Sequence, residues 1–156
     1  MKTKYCPKCE IEKSITDFYY HRTRKIYMDT CKSCNNKRSS DYYKELKTNN
    51  LIEYQLRQRS SELTRRAKLK KLPYEKKMFK VLMELWNHQN GLCFYTKEKM
   101  DLDGFSTDNP RCFVVDRLIP ENGYTKENMV FCCNAVNRIK SSFTIEELKW
   151  WVNKII

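Results

Sequence analysis

The sequence predicts an α+β protein in two parts: an N-terminal four-cysteine zinc module with basic helices, then a small domain of two strands and a helix with flanking helices. Three observations lead there. Two Cys-x-x-Cys pairs, Cys6/Cys9 and Cys31/Cys34, are separated by twenty-one residues. Residues 36–72 hold neither Gly nor Pro and are rich in Lys, Arg, Glu, Leu, Gln and Ser. Residues 73–156 then read helix, strand, strand, helix, helix.

Thiolates two apart on a tight turn grip one face of a zinc ion, and a second pair closes the tetrahedron. The alternative is two disulfides in a secreted mini-domain. Residues 1–13 are charged and lack the apolar segment of a secretion signal, and no apolar run approaches membrane-spanning length. The expectation is an intracellular protein, off the membrane, with reduced thiols. A structural Zn²⁺ would then be held by Cys6, Cys9, Cys31 and Cys34. His21 is an alternative fourth ligand that the paired spacing does not need. A module this small has no core of its own, so the metal supplies most of its folding energy, with Phe18 and Tyr19 as the apolar plug.

From 37 to 72 the composition argues for one or two helices, broken at Thr48-Asn49-Asn50. Leu46, Leu51, Tyr54 and Leu56 make a thin apolar stripe. Arg57, Arg59, Arg65, Arg66, Lys68, Lys70 and Lys71 would wrap most of a helix, which suits a helix laid along phosphates; a solvated linker helix is the other reading. The net charge is +12, and residues 1–72 carry 19 Lys and Arg against 8 Asp and Glu, leaving residues 73–156 close to neutral. That asymmetry, with Tyr19, Tyr20, Tyr27, Tyr42 and Tyr43 interleaved, predicts a nucleic acid as the partner of the N-terminal half. A homodimer contact is a second use for the same segments. The expected boundaries are 1–36 for the zinc module, 37–72 for a basic helical linker and 73–156 for the second domain.

In that domain Met78, Phe79, Leu82, Leu85 and Trp86 fall at helical spacing, so 74–89 is an amphipathic helix with Pro73 near its first turn and Gly91 as its stop. His88, near its end, is expected at the surface. A turn at 91–100 and a polar loop with Asp101, Asp103, Gly104, Asp108 and Pro110 come next. Residues 111–119 and 128–133 are strands rich in β-branched and aromatic residues, joined by a turn at 120–125. Residues 134–141 form a helix, and Thr144 with Glu147 makes a capping box for a last helix. Its apolar face, Ile145, Leu148, Trp151, Val152 and Ile155, is expected to back the domain.

Three runs stand out: Val115-Asp116-Arg117-Leu118-Ile119-Pro120, Gly123-Tyr124-Thr125-x-x-Asn128 and Cys133-x-x-x-Asn137-x-x-Lys140. Their order and spacing resemble the ββα-metal element of the HNH (His-Me finger) endonuclease superfamily, over about residues 91–148. The Asp-Arg form looks like HNH-like phage proteins, and Gly91-Leu-Cys93-Phe-Tyr-Thr96 looks like the turn that leads into such domains. The N-terminal module is similar to those of recombination endonuclease VII-like proteins. The resemblance implies a metal-dependent DNA endonuclease. Asp116 and Asn137 would hold Mg²⁺ or Mn²⁺, Asn128 would brace the loop between the strands, and Arg138 and Lys140 would hold backbone phosphate.

Two departures shape the expectation. The superfamily places a histidine after the strand aspartate as the base for water; here Arg117 stands there, and arginine stays protonated. Arg117 can still bind phosphate. Either the base lies elsewhere (His88 or Glu121), or metal-bound hydroxide suffices, or the site is catalytically inactive. The second departure is in the cysteines: Thr96 and Val136 replace one member of each further pair. Cys93, Cys112, Cys132 and Cys133 are then expected as small buried residues, with a second zinc as the alternative. Beside the endonuclease stand a zinc-containing nucleic-acid-binding protein without activity and a phage-encoded interaction protein that blocks a host factor.

Overall fold

Two antiparallel hairpins precede the first α-helix. In the structure, a computed structural model that describes residues 2–102 and 108–155, β1 (Thr3–Cys6) pairs with β2 (Ile11–Ser14), and β3 (Phe18–His21) pairs with β4 (Ile26–Cys31). Glu10 closes the first turn from the left-handed region, φ 57°, and its N–H donates to the Cys6 carbonyl at 2.8 Å. Cys31 ends β4 and caps α1 (Lys32–Asn49), so Cys34 falls in the helix's first turn. Among the described residues of this part only Cys6, Phe18 and Cys31 are fully buried, with Cys9 and Cys34 packed against them. Tyr19 does not join Phe18 in the plug. Neighbouring strand residues face opposite sides, and Tyr19 is exposed, its hydroxyl donating to Asn36 Oδ1 at 3.1 Å.

The chain divides into two units, Met1–Asn50 and Leu51–Ile156. The break at Asn50 falls where the Thr-Asn-Asn run predicts it, between α1 and α2 (Leu51–Lys70). The expected 37–72 linker is therefore shared between the units. The reason is the face of α2 formed by Leu56, Leu63 and Ala67, which is buried in the core of the second unit. That face is hidden in the sequence by arginines whose stems lie on apolar surface.

Residues 73–75 do not begin the next helix. Tyr74 makes a parallel bridge with Tyr124, the Tyr124 N–H donates to the Pro73 carbonyl at 2.8 Å, and the Glu75 N–H to the Tyr124 carbonyl at 3.1 Å. The helix α3 accordingly spans Met78–Gln89 and buries Met78, Val81 and Leu82. Beyond it, β5 (Phe113–Arg117) pairs antiparallel with β6 (Met129–Cys133), Asp116 opposite Val130. Every residue of β6 is buried, as an apolar run covered on both faces should be. Trp86 meets Phe113 and Phe131 edge-on at 5.1 and 5.3 Å. α4 (Asn134–Lys140) follows β6 directly, completing a ββα element.

The capping box forms: the Thr144 N–H donates to Glu147 Oε2 at 2.7 Å and the Glu147 N–H to Thr144 Oγ1 at 3.2 Å. It opens α5 (Ile145–Ile155). That helix does not back the domain, because it buries none of its residues; Trp150, Trp151, Val152 and Ile155 are exposed. Periodicity predicts the helix but not what its face meets. Of the polar loop, Asp103 and Gly104 lie outside the described residues.

Gly123 is a position where only glycine fits. Its φ is +68°, and a Cβ there would run into the Pro73 carbonyl oxygen that anchors Tyr124. Gly123→Ala is expected to cost about 2 kcal/mol or more, read as a lower urea midpoint with an unchanged slope.

Candidate functional site

The four cysteines of the two pairs meet. Their Sγ atoms all lie within 4.8 Å of one another, and Cys9 and Cys31 are 3.9 Å apart. Four sulfurs around one zinc-sized ion sit about 3.8 Å apart, from a metal–sulfur distance of about 2.3 Å. A disulfide would bring two to about 2 Å, and all eight cysteines are free. His21 stands apart from the group: its Nδ1 accepts the Arg24 N–H at 3.2 Å.

The thiols are electrostatically unequal. The Ser33 hydroxyl and the Cys34 N–H pull Cys31 down to about 6 against its burial. The Cys31 sulfur and burial push Cys34 up to about 12. The Cys31 N–H, 3.3 Å from its sulfur, lowers Cys6, while burial raises Cys9. One thiolate thus holds the proton on a neighbour, a conflict that a bound cation removes. Lys13 already leans on the group, its Nζ 3.6 Å from Cys31 Sγ.

The other four cysteines are packing residues. Cys93, Cys112, Cys132 and Cys133 are buried. Among the described residues they form no metal-sized group of three or more. Burial, then Cys93, raises Cys133 to about 11. Burial, then the Asp116 charge, raises Cys132.

In the ββα element Asp116 is 6% exposed and Lys140 1% exposed. Lys140 Nζ lies 3.4 and 3.3 Å from the two Asp116 carboxylate oxygens and donates to the Arg117 carbonyl at 3.2 Å. The Tyr95 hydroxyl donates to Asp116 Oδ2 at 2.6 Å, and burial, then that carboxylate, pushes the Tyr95 phenol above its usual range. Lys140 is therefore not a surface phosphate contact; as the last residue of α4 it turns into the core and neutralises Asp116.

Asn128 is buried and ties the inter-strand loop. Its Nδ2 donates to the Ile119 and Gly123 carbonyls, both at 2.8 Å, and its Oδ1 accepts the Ile119 N–H at 2.9 Å. Asn137 lies one turn before Lys140 on α4, half-buried, and its side chain has no hydrogen-bond partner among the described residues. Arg117 donates to the Pro120 carbonyl and stacks 5.1 Å from the Tyr124 ring centre. Arg138 is exposed on α4, beside Asp108 and Asn134. His88 is exposed and lines a cleft with Phe94, Lys97 and Lys126 whose walls include neither Asp116 nor Asn137.

The basic stretch of α2 splits by face. Arg57 pairs with Glu53 at 2.6 Å and lies 4.2 Å over Phe79, while Arg59 donates to the Phe113 carbonyl at 2.9 Å. Both guanidinium groups are engaged within the fold, Arg59 also lying 5.0 Å from the Phe113 ring centre. Arg65, Arg66 and Lys68 face solvent. Arg65 and Arg66 share Glu62, whose carboxyl they hold down to about 2.

Two site residues escape the sequence reading. Tyr95 lies inside the Gly91–Thr96 run, and a half-buried phenol takes a hydroxyl partner, but nothing in the run names Asp116 as that partner. Gln89 stitches α3 to β6: its Oε1 accepts the Phe131 N–H at 2.8 Å and its Nε2 donates to the Phe131 carbonyl at 2.9 Å.

No family model and no curated protein matches the chain. Among solved structures it is similar to the rare-cutting HNH restriction endonuclease PacI. The two are 18% identical, the match covers 97% of this chain and 92% of that one, and the TM-score is 0.45.

Lys140→Met removes one member of a buried pair and strands the Asp116 charge, so it is expected to cost about 3–5 kcal/mol. Adding Asp116→Asn removes that charge and is expected to recover most of the loss. Urea melts of both variants read the difference.

Proposed function

We propose that the chain is a metal-dependent, HNH-like DNA endonuclease with a zinc-stabilised first unit. The observation that carries this reading is the cation seat of the ββα element. The Asp116 carboxylate and the Arg117 carbonyl already gather one positive charge, the Lys140 ammonium. Asn137 adds an unengaged amide on the same helix. Carboxylate and amide oxygens are the donors that Mg²⁺ or Mn²⁺ takes, and the ammonium stands in for such an ion. Asp116 and Asn137 would hold the metal, which when bound stabilises negative charge on the scissile phosphate and the leaving oxygen.

The chain's own groups divide the remaining work. Tyr95 fixes the Asp116 carboxylate through Oδ2. Asn128 holds the 119–123 loop at the end of β5 in one shape. Arg138, with Arg65, Arg66 and Lys68 on α2, offers exposed cations to phosphates. Arg117 supplies a guanidinium donor fork, not a base. The four-thiolate group takes zinc, whose preference for tetrahedral sulfur it matches.

A second reading is a nucleic-acid-binding protein that does not cut. Two observations favour it: Lys140 fills the cation seat, and β5 carries Arg117 where a histidine base would stand. Incubating the purified chain with supercoiled and branched DNA in Mg²⁺ or Mn²⁺ separates the readings. The expected outcome is metal-dependent nicking, abolished by EDTA and reduced about a hundredfold or more in Asn137→Ala, on the scale of losing one transition-state contact. Salt-sensitive DNA binding without cleavage in any metal overturns the endonuclease reading in favour of the second.

A further inference from the structure

The β3–β4 hairpin carries a surface that neither the cysteine group nor the ββα element uses. Tyr20 and Tyr27 are directly opposed in register, so their rings share one face of the hairpin. The ring centres are 5.0 Å apart and tilted by 57°. Tyr20 is 50% and Tyr27 37% exposed, and Ile26 and Met28 beside them are also open to solvent. A unit with so little buried apolar surface gains nothing in stability by leaving a paired aromatic face uncovered.

The charge around this face identifies what covers it. The turn joining the two strands holds Arg22, Arg24 and Lys25, all exposed. The acidic residue of the hairpin, Asp29, is ion-paired with Lys4 at 3.1 Å. Cations at the tip beside open tyrosine rings match a ligand with flat apolar faces and a regular negative backbone. A second copy of the same hairpin would set like charges against each other. Tyr19, on the other face, is already engaged by Asn36 and by the Lys32 ammonium 5.7 Å from its ring centre.

We propose that the Tyr20/Tyr27 face is a stacking platform for unpaired bases, with Arg22, Arg24 and Lys25 holding the adjoining phosphates. The ligand class is single-stranded nucleic acid, whether free or as the open strand of a junction, flap or melted duplex. The inference rests on the nucleic-acid reading above and narrows it from DNA in general to DNA with exposed bases. Duplex bases are stacked on one another and cannot reach the rings; unpaired bases can.

The test is fluorescence anisotropy of the full chain, without added Mg²⁺ or Mn²⁺, on oligo-dT, on oligo-U of the same length and on a matching duplex. Two double variants are compared with the parent. Tyr20→Leu/Tyr27→Leu keeps apolar bulk and removes the flat faces; Tyr20→Phe/Tyr27→Phe keeps the faces and removes the hydroxyls. Bound metal per chain reports that the unit still folds. The leucine variant is expected to lose about tenfold or more in single-strand affinity, on the scale of base stacking, with duplex affinity and metal content unchanged. The phenylalanine variant is expected to bind like the parent, and the dT and U arms tell which strand chemistry the platform takes. Undiminished single-strand affinity in the leucine variant overturns the platform and leaves DNA binding standing. An equal loss on duplex and single strand overturns it too, as a general effect of the hairpin. A leucine variant that turns monomeric from a parent dimer without losing single-strand affinity assigns the face to self-association and overturns it. Failure of the parent to bind any strand at low salt removes the nucleic-acid reading and the platform with it.

Discussion

Four thiols brought within 4.8 Å of one another are the constraint on which the first unit depends. A unit whose described residues bury only Cys6, Phe18 and Cys31 completely cannot hold together by apolar burial. The cysteines join the two places where the backbone reverses or starts afresh, the turn after β1 and the first turn of α1. Without a cation they set thiolate against thiol, which the split between Cys31 and Cys34 expresses. With one, the same charges become a bond. Everything else in the unit hangs from that point: Phe18 pairs with Cys31 in register, and the open hairpin beyond is free to be a surface because it is not needed as a core.

The second unit solves stability differently. Its core is aromatic and aliphatic, drawn from α2, α3, β5 and β6, with Trp86 between Phe113 and Phe131. Into it the chain sinks one ion pair, Asp116 with Lys140, capped by Tyr95. Buried pairs are weak sources of stability, since desolvation offsets most of the attraction. An apolar trio would serve packing as well.

Much of this was legible in the sequence because local chemistry decided it. The cysteine spacing, the Thr-Asn-Asn break, the capping box at Thr144 and Glu147, and the strand pair before α4 are all set within a few residues. What was not legible depended on partners far along the chain. Lys140 reads as a surface cation until Asp116, twenty-four residues earlier, is placed beneath it. Arg57 and Arg59 read as a phosphate-binding stripe until Phe79 and Phe113 are seen under them. Tyr74 looks like the start of a helix until Tyr124 claims it as a bridge. In each case local pattern suggested one role and long-range pairing decided another.

The most direct measurement is of metal and amide exchange together on the purified chain. Native mass spectrometry counts the bound ion, and hydrogen exchange is followed before and after chelation. One metal per chain is expected, with chelation releasing protection across β1 to the start of α1 while β5 and β6 stay protected. A metal-free chain that keeps full protection in the first hairpins, or cysteines found as disulfides, would contradict it.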